Sequence, residues 1–355
     1  MELTSRERFQ RMFEHRDADR VPVVDSPWGT TIERWHREGL PHDVAWHDYF
    51  QMDRTAGMGA DISPRYPGKV IEDTDAYSIY TTSWGVTMKN WKHMTSTPGY
   101  VDYTVRDRAG WAEAKARMTP TSDRINWDYL KEQYPRWREA GYWVQLDLGF
   151  GFDLTHASMI GTENLLFVFA EDPDWCREMF EHELDMSLAL AQQIWDAGYH
   201  ADSVFWCDDM GYKGHQFFSL ETYREFLKPV QKRAIDWAHA KGIKAHLHSC
   251  GDVRPLVPEL LEIGLDALNP LEVKAGMNPV ELKRLYGGKL VLHGGINAVL
   301  WTDFDAITAE MERVLPKVKE SGGYIFSSDH SVPDAVSFED FGKIVALAKK
   351  LGSYE

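Results

Sequence analysis

Residues 244–269 read KAHLHSCGDVRPLVPELLEIGLDALN, a stretch that contains a strand, a helix and a second strand in that order. Its first run alternates. Ala245 and Leu247 fall on one face and His246, His248 and Cys250 on the other, because side chains along a strand repeat every two residues. Asp252 is placed to cap the helix that follows, with Pro255 near its first turn and Gly264 at its exit. Residues 267–269 then begin another apolar run. A strand, a crossover helix and a parallel strand form the repeating unit of α/β proteins.

The same plan continues on both sides of this unit. Short apolar runs at 142–148, 203–206, 290–293 and 324–327 alternate with amphipathic stretches, which predicts regular βα units on a parallel sheet over 141–355. Ser219 caps a helix expected to run to His239, Thr302 or Asp303 opens one that stops at Ser321-Gly322-Gly323, and Ser337 opens the last. Residues 1–140 are less regular: a helix at 5–14, a strand at 21–25, Pro and Gly punctuation from 62 to 68, and a hairpin at 71–91. No shift of composition marks a linker, so 1–355 reads as a single α/β domain with an elaborated N-terminal part.

Composition narrows the function classes. The 355 residues are 43% hydrophobic and 26% charged, enough to bury a sizeable core, which excludes disordered and fibrous chains. Asp and Glu number 55 against 39 Lys and Arg, and the net charge of −16 repels phosphates and anionic headgroups. Neither nucleic acid nor membrane is expected as a partner. No apolar run reaches the roughly 18 residues of a spanning helix, and residues 1–16, MELTSRERFQRMFEHR, lack a signal-peptide core, so a cytoplasmic location is expected. Cys176, Cys207 and Cys250 lie too far apart to suggest a disulfide framework, and Cys176 and Cys207 read as packing residues. Nine of the fourteen tryptophans precede residue 150, and ring faces there suit either a substrate wall or packing against the sheet.

Polar residues recur where the apolar runs end. Asp208 and Asp209 close one, His246, His248 and Cys250 another, His293 a third, and Asp329 and His330 a fourth. In a parallel α/β barrel such ends converge on the face that holds the active site. His246 reads most simply as a satisfied core histidine, whereas His248 and Cys250 form an H-x-C half-site of imidazole and thiolate donors that suit Zn²⁺. Asp208 and Asp209 are candidates for acid/base work; adjacent strand residues face opposite ways, so one is expected in the site and the other in a cap or ion pair. His293, before Gly294-Gly295, is a candidate base or a packed ring.

Four motifs in this order, VFWCDDMGYKG (204–214), LHSCGD (247–252), LHGGINA (292–298) and GGYIFSSDHSVP (322–333), together with the opening LTSRERFQRMFEHRDADRVPV (3–23), resemble the uroporphyrinogen decarboxylase superfamily. The resemblance implies a (β/α)8 barrel of the TIM type with its site at the carboxyl ends of the strands. True uroporphyrinogen decarboxylases carry an RQAGRYLPEY-like segment after the first strand; here residues 25–41 read DSPWGTTIERWHREGLP, without that arginine pattern. The superfamily's other branch comprises methyltransferases that work with corrinoid proteins and bind zinc through an H-x-C pair and a later Cys. His248 and Cys250 match the pair. The later Cys falls in Ser328-Asp329-His330-Ser331, where His330 is the expected replacement and Asp209 its competitor.

The resemblance therefore implies a zinc-dependent methyltransferase of the O-demethylase type. It would move a methyl group between a small methylated compound and a corrinoid (cobalamin) carried by a partner protein; the excess of rings in the N-terminal part suits a flat substrate and points to an aryl methyl ether. His248, Cys250 and His330 would hold Zn²⁺, Asp208, Asp209 and His293 would handle protons, and Trp28, Trp35, Trp84 and Trp206 would surround the substrate. A second copy of the chain, as a homodimer, is a further candidate partner. The alternative is a metal-independent decarboxylase acting on a carboxylated substrate.

Overall fold

A computed structural model describes residues 2–93 and 97–354. Seven parallel strands form one curled sheet in chain order: Thr55–Met58, Trp143–Asp147, Ser203–Cys207, Lys244–His248, Ala267–Asn269, Val291–His293 and Tyr324–Ile325. Residues 21–25 join its two edges. On one side Val24 N–H donates to Phe326 O (3.0 Å) and Phe326 N–H to Pro22 O (2.9 Å); on the other Asp53 N–H donates to Val23 O (2.9 Å). Counting this segment, eight chain passes make the ring, and the fold is the expected (β/α)8 barrel of the TIM type.

Burial follows the alternation in the sequence. Ala245 and Leu247 are fully buried beneath the outer helices, while His246 and His248 turn toward the barrel axis. The floor is closed by the N-terminal helix Ser5–Phe13, which a Thr4–Glu7 capping box starts and whose apolar face enters the barrel. Phe9 and Phe13 stack on Trp143 with ring centroids 5.5 and 5.0 Å apart. Asp303 and Ser337 cap the helices Phe304–Val318 and Phe338–Gly352 as expected. The helix after Ser219 runs from Leu220 to Ala240 with a widened turn over Tyr223–Leu227, just ahead of Pro229, which lacks a backbone N–H. Asp252 accepts from Arg254 N–H but does not cap the short helix Val257–Glu262 directly.

Two features of the N-terminal part differ from the sequence reading. Thr55–Met58 was not expected as a strand, because TAGM has neither β-branched density nor alternation. Gly57 is needed there: a Cβ on it would come within 2.6 Å of an Asp147 carboxylate oxygen. The hairpin at 71–91 is the centre of a four-stranded antiparallel sheet, Lys69–Asp73, Tyr77–Thr81, Val86–Trp91 and Gly99–Tyr103. This sheet lies at the carboxyl-terminal face, where Thr97 borders the central cavity. Among the described residues no helix is long and apolar enough to cross a membrane.

Candidate active site

A cavity of about 480 Å³ opens at the carboxyl ends of the barrel strands. His246 and His293 lie on its deep side, their rings joined by a 3.3 Å contact between His246 Nε2 and His293 Nδ1. Phe13 and Phe205 pack edge-on against His246. Burial, and secondarily the neighbouring His248, push His293 down to about 3, so its ring is neutral at physiological pH and is a poor base there.

Nearer the mouth, Asp209, His248 and Cys250 each bring one donor atom into a cluster whose members all lie within 4.8 Å of one another. Three local interactions set this arrangement. Asn269 Oδ1 accepts from His248 Nδ1 at 2.6 Å, so Nδ1 carries the proton and Nε2 presents its lone pair. That Nε2 is 3.4 Å from Cys250 Sγ and 3.7 Å from Asp209 Oδ1. Asp209 Oδ1 in turn accepts from Cys250 N–H at 2.7 Å, which ties the end of one strand to the turn beyond the next. Gly251 makes that turn possible: its φ is +79°, and a Cβ on it would collide with the Gly211 backbone. Burial raises the Cys250 thiol and the Asp209 carboxyl above their usual ranges, with the His248 ring opposing the rise at Asp209.

A thiol, an imidazole Nε2 and a carboxylate within reach of one point are a donor set that Zn²⁺ accepts, and three protein ligands leave a fourth position for a reactant. Asn269 fixes the histidine tautomer as the outer partner of a metal-bound imidazole does. The residues present fit the metal.

The other predicted site residues divide between the cavity and the core. His330 and Trp28 border the cavity, with ring centroids 6.1 Å apart, but His330 is not in the close cluster; Asp209 takes the third place. Asp208 is turned away from the cavity, as strand parity requires. It is fully buried, accepts from Asp153 N–H and Gln231 Nε2, and burial pushes it up to about 7. Trp35 is a core residue: its ring packs 4.4 Å from Phe341 and its Nε1 donates to Val336 O. Trp206 also faces outward, stacked on Phe150, because Phe205 and Cys207 on either side of it face the cavity. Trp84 packs against the core from the antiparallel sheet and is not among the described residues lining the cavity. Cys207, expected in packing, is open to the cavity, and its protein surroundings raise the thiol to about 12.

Three polar groups that the sequence reading passed over also stand at strand ends. They are Asn269, Asp25 and Asp147, the last lifted to about 7 by burial alone. Each ends an apolar run, and the rule that singled out His248 applies to them equally. None of the described residues lining the cavity is Lys or Arg.

Comparison with known proteins gives a consistent family. The sequence profile described as "Uroporphyrinogen decarboxylase (URO-D)" matches residues 154–351. Two curated proteins named uroporphyrinogen decarboxylase, from Helicobacter pylori strains P12 and Shi470, are each 29% identical over 173 residues, 46% of this chain. That match spans 45% of those proteins, less than half their length. Among solved structures, a methyltransferase from Methanosarcina mazei superposes with a TM-score of 0.68 over 98% of this chain and 99% of its own, at 16% identity, which speaks for a shared fold.

Proposed function

The chain belongs to the uroporphyrinogen decarboxylase family, and from that membership we propose that it is a zinc-dependent methyltransferase, moving a methyl group between a small methylated compound and a corrinoid partner protein. The observation that carries this reading is the Asp209, His248 and Cys250 cluster at the mouth of a cavity with no Lys or Arg among its described lining residues. Decarboxylation, the activity in the names of the Helicobacter relatives, would here require a carboxylated substrate to enter a cavity that carries Asp25 and Asp209 and no Lys or Arg among its described lining. Such a substrate would be repelled.

A methyl group on oxygen or nitrogen is a poor electrophile because the leaving heteroatom is basic. Zinc, when bound, supplies Lewis acidity at that heteroatom, or holds an acceptor thiol as the thiolate in the reverse direction. The corrinoid partner supplies the centre that exchanges the methyl group. The chain's own residues position the reactants. Asn269 aims His248, Asp209 fixes the Cys250 backbone, and the neutral rings of His246 and His293 back the cluster from the deep side without adding charge. Trp28 offers an apolar ring to a flat substrate, which favours an aryl methyl ether.

The test is methylcobalamin formation, followed by its absorbance, from methoxyaromatic donors with a reduced corrinoid protein. Wild-type chain should support it, and His248→Ala and Cys250→Ala should each lower the rate by at least about 100-fold. Failure with every methyl ether and methylamine, alongside carbon dioxide release from a carboxylated substrate, would transfer the assignment to a lyase.

A further inference from the structure

The ring order of the barrel puts residues 21–25 four positions from Lys244–His248 in either direction, so the two stand on opposite walls. Asp25 ends the first of these and borders the cavity opposite the His248 and Cys250 cluster. Its carboxylate is rigidly held. Oδ1 accepts from Ser26 N–H at 2.9 Å and from the Ser328 hydroxyl at 2.6 Å, and Oδ2 accepts from Ser328 N–H at 3.0 Å. Two carboxylate oxygens offer about four acceptor positions, so among the described residues these bonds leave one on Oδ2. No described cation contacts it, and the neighbouring acid Asp329 adds repulsion.

We propose that Asp25 is the specificity-determining acceptor for a hydrogen-bond-donating group, a hydroxyl or an ammonium, at the end of the substrate remote from the transferred methyl. A donor there would complete the carboxylate's bonding and supply the partner that the described residues do not. Trp28, three residues on, borders the same cavity and would face the body of a flat molecule. Burial, more than the adjacent Asp329, lifts Asp25 to about 6, which agrees with a charge left for a ligand to stabilise. The orientation of the substrate rests on the methyl-transfer reading; the donor requirement at Asp25 does not.

The experiment is equilibrium binding by titration calorimetry to the full, zinc-supplemented chain with three probes: methoxybenzene, 4-methoxyphenol and 4-methoxybenzylamine. In wild type at least one donor-bearing probe should bind about tenfold or more tightly than methoxybenzene, since a hydrogen bond to a buried charge is worth that much. Asp25→Ala should erase the preference. Asp25→Asn, which keeps an acceptor oxygen and loses the charge, should weaken the amine more than the phenol and so separates the two sources. Equal affinity for all three probes in wild type, no binding by any of them, or an equal loss for all three in Asp25→Ala would overturn the proposal. The first comparison needs no variant. A donor preference without methylcobalamin formation would sink methyl transfer alone, and turnover without a preference would sink this inference alone.

Discussion

Asn269 holds His248 through a single 2.6 Å hydrogen bond, and its own Nδ2 donates to His293 O at 3.4 Å. Removing an outer partner of this kind typically costs a metal site about 10- to 100-fold in affinity. Asn269→Ala is therefore expected to lower zinc affinity within that range while leaving the fold intact, measured by competition with a chromophoric chelator. Unchanged affinity would mean that His248 does not bind metal through Nε2. At this scale the sequence was informative wherever parity and chemistry coincide: His248, Cys250 and Asp209 sit at or just beyond strand ends, on the faces that turn to the cavity. It was uninformative for the rings. Trp28, the extended residue just before the helix Gly29–Glu38, borders the cavity, whereas Trp35 lies on the buried face of that helix and fills the core. Asp25 satisfies the same strand-end rule as His248 and was missed because, as a lone acid, it lacks the H-x-C pairing that drew attention to His248 and Cys250.

The helix Pro173–Asp196 covers the barrel with a carboxylate on its buried face. Glu183 is fully buried, accepts from Gly151 N–H and the Thr155 hydroxyl, and is pushed up to about 8, by burial first and by Asp208 in addition. Asp208, at about 7, lies behind the same wall. Both values are raised above those of an unfolded chain, so their contribution to stability is full below about pH 4 and is lost as pH rises through 7 and 8. Each fully coupled group costs about 1.4 kcal/mol per pH unit in that window. Thermal unfolding followed by circular dichroism should show Tm falling from pH 6 to 8.5. Glu183→Gln should gain on wild type as pH rises; a difference that is constant with pH would mean that Glu183 titrates normally. Other covering helices were legible from their caps, Asp303 before Phe304–Val318 and Ser337 before Phe338–Gly352. Thr55–Met58 was not, since it is a strand through its pairing with Trp143–Leu146, about 90 residues away, and its Gly57 is explained only by the Asp147 side chain lying against it.

At the scale of the whole molecule, parallel strands in chain order, a helix plugging the floor and an antiparallel sheet at the mouth leave a cavity with the His248 and Cys250 cluster on one wall and Asp25 on the opposite one. The barrel from residue 141 onward could be read in advance because each βα unit announces itself locally. Closure could not, because it depends on three backbone bonds made by residues 22–24 and 53 to neighbours chosen only in the folded chain. The proposed methyl transfer stands on Asp209, His248 and Cys250 holding one zinc ion. Elemental analysis together with zinc X-ray absorption of chain purified without chelator tests it most directly. One zinc per chain is expected, with a sulfur at about 2.3 Å and nitrogen or oxygen at about 2.0–2.2 Å, the sulfur shell vanishing in Cys250→Ala. Chain that takes up no zinc, or zinc whose spectrum shows no sulfur, would contradict it.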